Sequence, residues 1–291
     1  MNTHDLSRQK NVHTSRTAVV TGATSGLGQA TALALGEEGF RVIVVGRDAA
    51  RGDEVVAAIR AGGGAAALVL GDLMTVSGAE SVAAAIRERA PRIDLLINNA
   101  GGSFRRDERT ADGVERTFAL NVLAPFVLTE ALLPALEAAK GRVVNVVTGV
   151  PASARATLDQ LTGAKAGPGM QSYIRAKLAL LTLTVEAQRR YGARGVSFVS
   201  LHPGIIPGTR FGSEMPAFVQ KVAPWIAKIL RLASSPAEAA ARFVAVGTGE
   251  VEAGGFYYEG ELREAPKQAQ DPEFAASLRG ALEGLRAPGG N

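Results

Sequence analysis

Tyr173 and Lys177 stand four residues apart in the stretch Tyr173-Ile-Arg-Ala-Lys177. On a helix that spacing puts a phenol and an ammonium on one face, where both can enter the same cleft. An ordinary tyrosine, with a pKa of about 10, moves protons poorly near neutrality; a cation beside it favours the phenolate and lowers that value. The pair therefore offers a tunable acid and base. A second feature offers a place for a phosphate-bearing cofactor. Thr21-Gly-Ala-Thr-Ser-Gly-Leu-Gly28 follows an apolar run and opens an amphipathic one. Gly22 suits the tight turn, Gly26 a close approach of backbone to phosphate, and Gly28 close packing of helix on strand. The free N–H groups of a helix start would face the anion, and the Ser25 hydroxyl can add one more donor.

The second apolar run ends Val45-Gly46-Arg47-Asp48. At that place an acid binds the ribose 2′-hydroxyl of a dinucleotide, whereas an arginine accommodates a 2′-phosphate. Gly46 has no charge to repel phosphate, and Arg47 can pair with it through charge-assisted bonds. Asp48 is the competing acid, but it is placed to cap the next helix. This reading favours NADP(H) over NAD(H).

These groups need elements to hold them. Apolar runs at 17–21, 41–45, 66–70, 93–98, 142–147 and 196–201 are short and rich in Val, Ile and Leu, as in strands buried on both faces. Between them, 27–38, 49–61, 77–90, 112–136 (interrupted near Pro125) and 171–191 have helical period. Strand alternating with helix predicts an α/β, doubly wound, parallel sheet with helices on both faces. A late strand near 255–258 would join its edge, and 271–286 reads as a terminal helix. Residues 1–15 are expected to be a disordered tail and 16–291 one dinucleotide-binding domain. Two segments break the rhythm, 149–169 and 205–235, and loops of such length are usually functional or disordered. The second carries Pro207, Phe211, Met215, Phe218 and Trp225. With Phe104, these either face an apolar substrate or pack a covering helix on the core.

Composition removes other classes. The chain of 291 residues has no cysteine, so thiolate catalysis and disulfides are excluded. Its three histidines, His4, His13 and His202, lie in no cluster with metal-ligand spacing. A net charge of +4 and the single Arg105-Arg106 pair do not suggest a nucleic-acid surface. The N-terminus lacks the apolar core of a signal peptide, and no run of about 18 apolar residues suggests a membrane anchor. A cytoplasmic location is expected.

TGATSGLG at 21–28, Asp72, Asn98-Asn-Ala-Gly101, Asn121, Tyr173 with Lys177, and Pro203-Gly204 occur in that order. Together they resemble the short-chain dehydrogenase/reductase superfamily over about 16–260. The stretch from Tyr173 to Gly204, with a GGFYYEG strand after it, is most similar to the retinol-dehydrogenase-like branch. The resemblance implies a Rossmann-type domain with a seven-stranded parallel sheet and an oxidoreductase that interconverts an alcohol with a ketone or aldehyde. It implies a cofactor site of Gly22, Thr24, Ser25, Gly26, Leu27, Gly28, Arg47, Asp72, Leu73, Asn99, Ala100, Gly101, Tyr173, Lys177, Pro203, Gly204, Ile206 and Thr209. Tyr173 would pass the proton, Lys177 would hold the nicotinamide ribose while lowering the Tyr173 pKa, and Asn121 would hold a water. Thr148 stands where the family presents a serine; it keeps the hydroxyl but adds a methyl, and Ser153 is the alternative. Pairing of copies through the helices at 124–139 and 171–190 is a family expectation; Phe126, Val127, Leu132 and Leu133 suit an interface or the core equally. A dinucleotide-binding regulatory or scaffold protein without turnover is the competing reading, and Thr148 is its only support.

Overall fold

The computed structural model describes residues 16–104, 108–162, 164–165, 169–206 and 234–287. The expected tail at 1–15, Thr209, and Pro207, Phe211, Met215, Phe218 and Trp225 lie outside these residues, as does the Arg105-Arg106 pair.

Eight strands form one sheet: β1 (Thr17–Thr21), β2 (Arg41–Gly46), β3 (Ala65–Leu70), β4 (Leu95–Asn98), β5 (Arg142–Val146), β6 (Ser197–His202), β7 (Phe256–Tyr258) and β8 (Glu261–Arg263). Their order is β3-β2-β1-β4-β5-β6-β7-β8. The chain reverses its direction of travel across the sheet between β1 and β4, and that switch opens a crevice at the carboxyl ends of the strands. β1 to β7 are parallel, as the resemblance implies; β8 is an additional strand, antiparallel to β7. Glu259 and Gly260 join the two with φ of 53° and 95°. A two-residue hairpin loop with both residues at positive φ matches the twist of the strands it joins. A left-handed glutamate is uncommon, so the sequence reads there as one late strand.

Side chains alternate between two cores. Val19, Ile43 and Leu96 point to the face covered by α3 (Val76–Arg89), α4 (Arg116–Ala139) and α5 (Met170–Tyr191). Ala18, Val20, Val42 and Val44 point to the face covered by α1 (Gly26–Glu37), α2 (Ala49–Ala61) and α6 (Pro236–Thr248). Asp48 caps α2, accepting from the Arg51 N–H at 3.2 Å, as its position predicts. α4 is long and apolar enough to cross a membrane, but 78% of its apolar window is buried, and it is a core helix of the sheet.

The expected break in α4 is a π turn at Ala119–Leu123, just before Pro125. Pro125 has no N–H to give the Asn121 carbonyl four residues earlier, and its ring crowds that carbonyl. The turn widens instead, with the Ala124 N–H reaching Ala119. Asn121 is thereby placed on the bulge.

The C-terminal helix α7 (Pro272–Arg286) lies against α5. Its Arg279, only 6% exposed, reaches Glu130 at 2.9 Å, Glu186 at 3.2 Å and the Tyr191 hydroxyl at 2.7 Å. Phe126, Val127, Leu132 and Leu133 are buried within this chain's own core.

Candidate active site

A cleft of about 400 Å³ opens at the carboxyl ends of the central strands. Every proposed cofactor residue among the described ones lines it, together with Thr148. Asn121 stands behind the wall: a Cβ on Gly101 would come within 2.7 Å of its Oδ1. The lining also includes Gly46, as its place beside Arg47 predicts, and Leu120, Val147, His202 and Ile205, which the motifs do not single out.

At the phosphate end, α1 begins at Gly26 after an extended Ser25 whose side chain makes no capping bond. The first N–H groups of the helix are therefore left for an anion rather than for the chain's own oxygen. Gly28 is required by packing, because a Cβ there would lie 2.3 Å from the Gly22 carbonyl and 2.5 Å from Asn99 Nδ2. Asn99 spends its amide on Thr21, donating to that carbonyl at 2.8 Å. The Thr21 hydroxyl accepts from the N–H groups of Asn99 and Ala100 at 3.0 and 2.9 Å, and staples the β4 loop to the end of β1. Thr21 is a site-building residue that its motif contains but its side chain alone does not announce. These residues fit a dinucleotide: an uncapped helix start, a glycine-lined floor and a cleft that runs on to Arg47.

Gly46 does more than leave room. A Cβ at that position would meet Thr24 Cγ2 at 2.3 Å, so the Thr24 methyl occupies the place of any side chain there. Arg47 and Asp72 are both more than half exposed and lie 3.8 Å apart.

At the other end, Lys177 is fully buried and its ammonium donates to the Val146 carbonyl at 2.7 Å. It lies 5.4 Å from the centre of the Tyr173 ring. Burial lowers the Lys177 pKa to about 7 and raises that of Tyr173. This corrects the expectation that Lys177 lowers the phenol: in the protein alone, loss of hydration outweighs attraction between the two groups. The Asn121 side chain is hydrogen-bonded to the backbone around it. Its amide donates to the carbonyls of Gly102 and Thr117, each at 2.7 Å, and its Oδ1 accepts from Gly102 N–H at 3.3 Å. The side chain thus pins the loop after β4 to the π turn. Thr148 faces the cleft, whereas Ser153 is exposed and does not line it. Within 149–169, Leu158–Leu161 is a short helix with a Thr157/Gln160 capping box, a local signal inside a stretch that reads as loop. The end of that segment meets the loop after β4, where Gly169 N–H donates to the Phe104 carbonyl at 3.0 Å.

Comparison with known proteins agrees with this geometry. The family described as short chain dehydrogenase matches residues 16–218. Mouse polyprenol dehydrogenase is 35% identical over 94% of this chain and 84% of its own. Human retinol dehydrogenase 13 is 32% identical over 94% of this chain and 86% of its own. Among solved structures, a metagenomic short-chain oxidoreductase in complex with NADP is 26% identical, with a TM-score of 0.60, covering 81% of this chain and 91% of that one. The chain belongs to the short-chain dehydrogenase/reductase family, in its retinol-dehydrogenase-like branch. It is an oxidoreductase of the CH–OH group that uses NAD(P) and acts on a small molecule.

Proposed function

We propose that the enzyme works with NADP(H) and interconverts an apolar alcohol with its ketone or aldehyde, with Tyr173 as the acid and base. The observation that carries the cofactor preference is the contact between residues 46 and 24. An acid at position 46, which would grip a ribose 2′-hydroxyl, has no space beside Thr24. Arg47 stands next to that place, exposed and ready for a 2′-phosphate. The bound dinucleotide supplies the hydride. Tyr173 is protonated at neutral pH, the form that delivery to a carbonyl oxygen requires; the cation of the bound dinucleotide and Lys177 would have to offset the burial that raises its pKa in the protein alone. Lys177 would hold the ribose hydroxyls from the floor of the cleft, and Thr148 would orient the substrate oxygen. Asn121 keeps the Gly101–Gly102 wall in place, and Pro203, Gly204 and Ile206 border the nicotinamide. The apolar preference is supported by Leu120, Val147 and Ile205 in the lining. The location is proposed to be cytoplasmic. A homo-oligomer built on α4 and α5 would have to accommodate α7, which already covers part of that pair. A fluorescence titration with NADPH and NADH, run beside a screen of apolar carbonyl substrates, tests the reading. Tighter NADH binding, or turnover only with polar substrates, counts against it.

A further inference from the structure

Three of the four carbonyls from His202 to Ile205 are held by groups from elsewhere in the chain. The His202 carbonyl accepts from Glu259 N–H at 2.8 Å, and the Ile205 carbonyl accepts from Ser234 N–H at 2.9 Å. Between them, Arg242 Nη1 donates to the Pro203 carbonyl at 2.6 Å and to Ser234 Oγ at 2.7 Å. Its other nitrogen, Nη2, lies 3.6 Å from Glu259 Oε2. Gly204 has no room for a side chain in this arrangement. Its φ is +99°, and a Cβ would come within 2.7 Å of Ser234 Oγ and 2.9 Å of Arg242 Nη1. Pro203, Gly204 and Ile205 are also a wall of the cleft.

We infer that Arg242 is a positioning residue, which sets the wall at Pro203–Ile205 against which the nicotinamide end of the cofactor rests. This rests on the dinucleotide lying along the cleft as proposed above. A guanidinium suits the task because its fixed fork of donors serves a carbonyl, a hydroxyl and a carboxylate together. A lysine has one nitrogen and cannot reproduce that fork. Glu259 is brought to Arg242 by the left-handed hairpin turn, so the β7–β8 extension braces the cleft through one ion pair. Arg242 acts through the Pro203 carbonyl and is placed apart from the adenine end.

The test compares two ligands on purified wild type, Arg242→Lys and Glu259→Gln. NADPH spans the whole cleft; 2′,5′-ADP carries only the adenine half and the 2′-phosphate. Arg242→Lys is expected to weaken NADPH about tenfold, the scale of a lost charge-assisted hydrogen bond, and to leave 2′,5′-ADP unchanged. Glu259→Gln, which keeps the Arg242 bonds to Pro203 and Ser234, is expected to weaken NADPH about threefold. It also carries the test if Arg242→Lys does not fold. Equal losses for both ligands, or no loss of NADPH affinity in either variant, overturn the inference. If wild type binds ADP but not 2′,5′-ADP, the NADP reading has failed; ADP and NADH then serve as the pair, and the claim for Arg242 is still decided.

Discussion

The Lys177 ammonium donates to the Val146 carbonyl at 2.7 Å while lying 5.4 Å from the centre of the Tyr173 ring. A buried amine held by an uncharged carbonyl is costly, and its pKa falls from 10.5 to about 7. Folding thus retains at this position a group that stability alone would discard, as expected of a functional lysine.

Lys177→Met should therefore stabilise the cofactor-free protein near neutral pH by about 1–4 kcal/mol while abolishing turnover. The folded pKa lies below the unfolded one, so between pH of about 7 and 10.5 the unfolded chain binds more protons. Below that window the penalty is complete; through it, wild type should gain stability on the variant as pH rises. Thermal melts of both proteins from pH 6 to 10 check this, and a gap independent of pH would contradict it.

Arg279→Ala should cost about 3–5 kcal/mol, because largely buried Glu130 would lose its cation and Glu186 would keep only the 4.0 Å pairing with Arg190. Arg286→Ala, which removes an exposed partner of Glu80 on the same helix, should cost at most about 1 kcal/mol. Urea denaturation distinguishes the two. Similar small losses would show that α7 is held by its apolar face alone.

Gly46→Asp alone should weaken NADPH and gain little for NADH, since Thr24 stands in the way. Adding Thr24→Ala removes the methyl at 2.3 Å and should restore NADH binding. Titrations of the single and double variants with both cofactors decide it. A single variant that already prefers NADH would mean that Thr24 gives way freely.

Much of this fold is legible in the sequence because its strands are continuous apolar runs and its helices keep a clear period. β1 and α2 have the bounds that 17–21 and 49–61 predict. The cofactor motifs also place their residues along one cleft, since each follows the end of a parallel strand. What is not legible depends on neighbours distant in the chain. Nothing near Gly46 in sequence says that Thr24 fills its side-chain space, nor that Arg242 holds the Pro203 carbonyl while Glu259 holds that of His202. The spacing of Tyr173 and Lys177 is visible, but the loss of hydration that drives their pKa values apart is a property of the assembled core. β8 is missed because its turn uses a glutamate where an asparagine or glycine would be the usual signal.

Thr148→Ser should keep activity, whereas Thr148→Val should reduce it at unchanged cofactor affinity if the hydroxyl orients the substrate oxygen. Steady-state rates of the two variants check this. An unaffected valine variant would leave that role without a side chain, since Ser153 does not reach the cleft lining.

The most direct measurement is the rate of hydride transfer by Tyr173→Phe with NADPH and any accepted carbonyl substrate, set beside its NADPH dissociation constant. The variant keeps the ring and its packing but loses the proposed transferable proton. The rate should fall by about 10²–10⁴ with the dissociation constant unchanged. A variant that turns over at the wild-type rate would contradict the account.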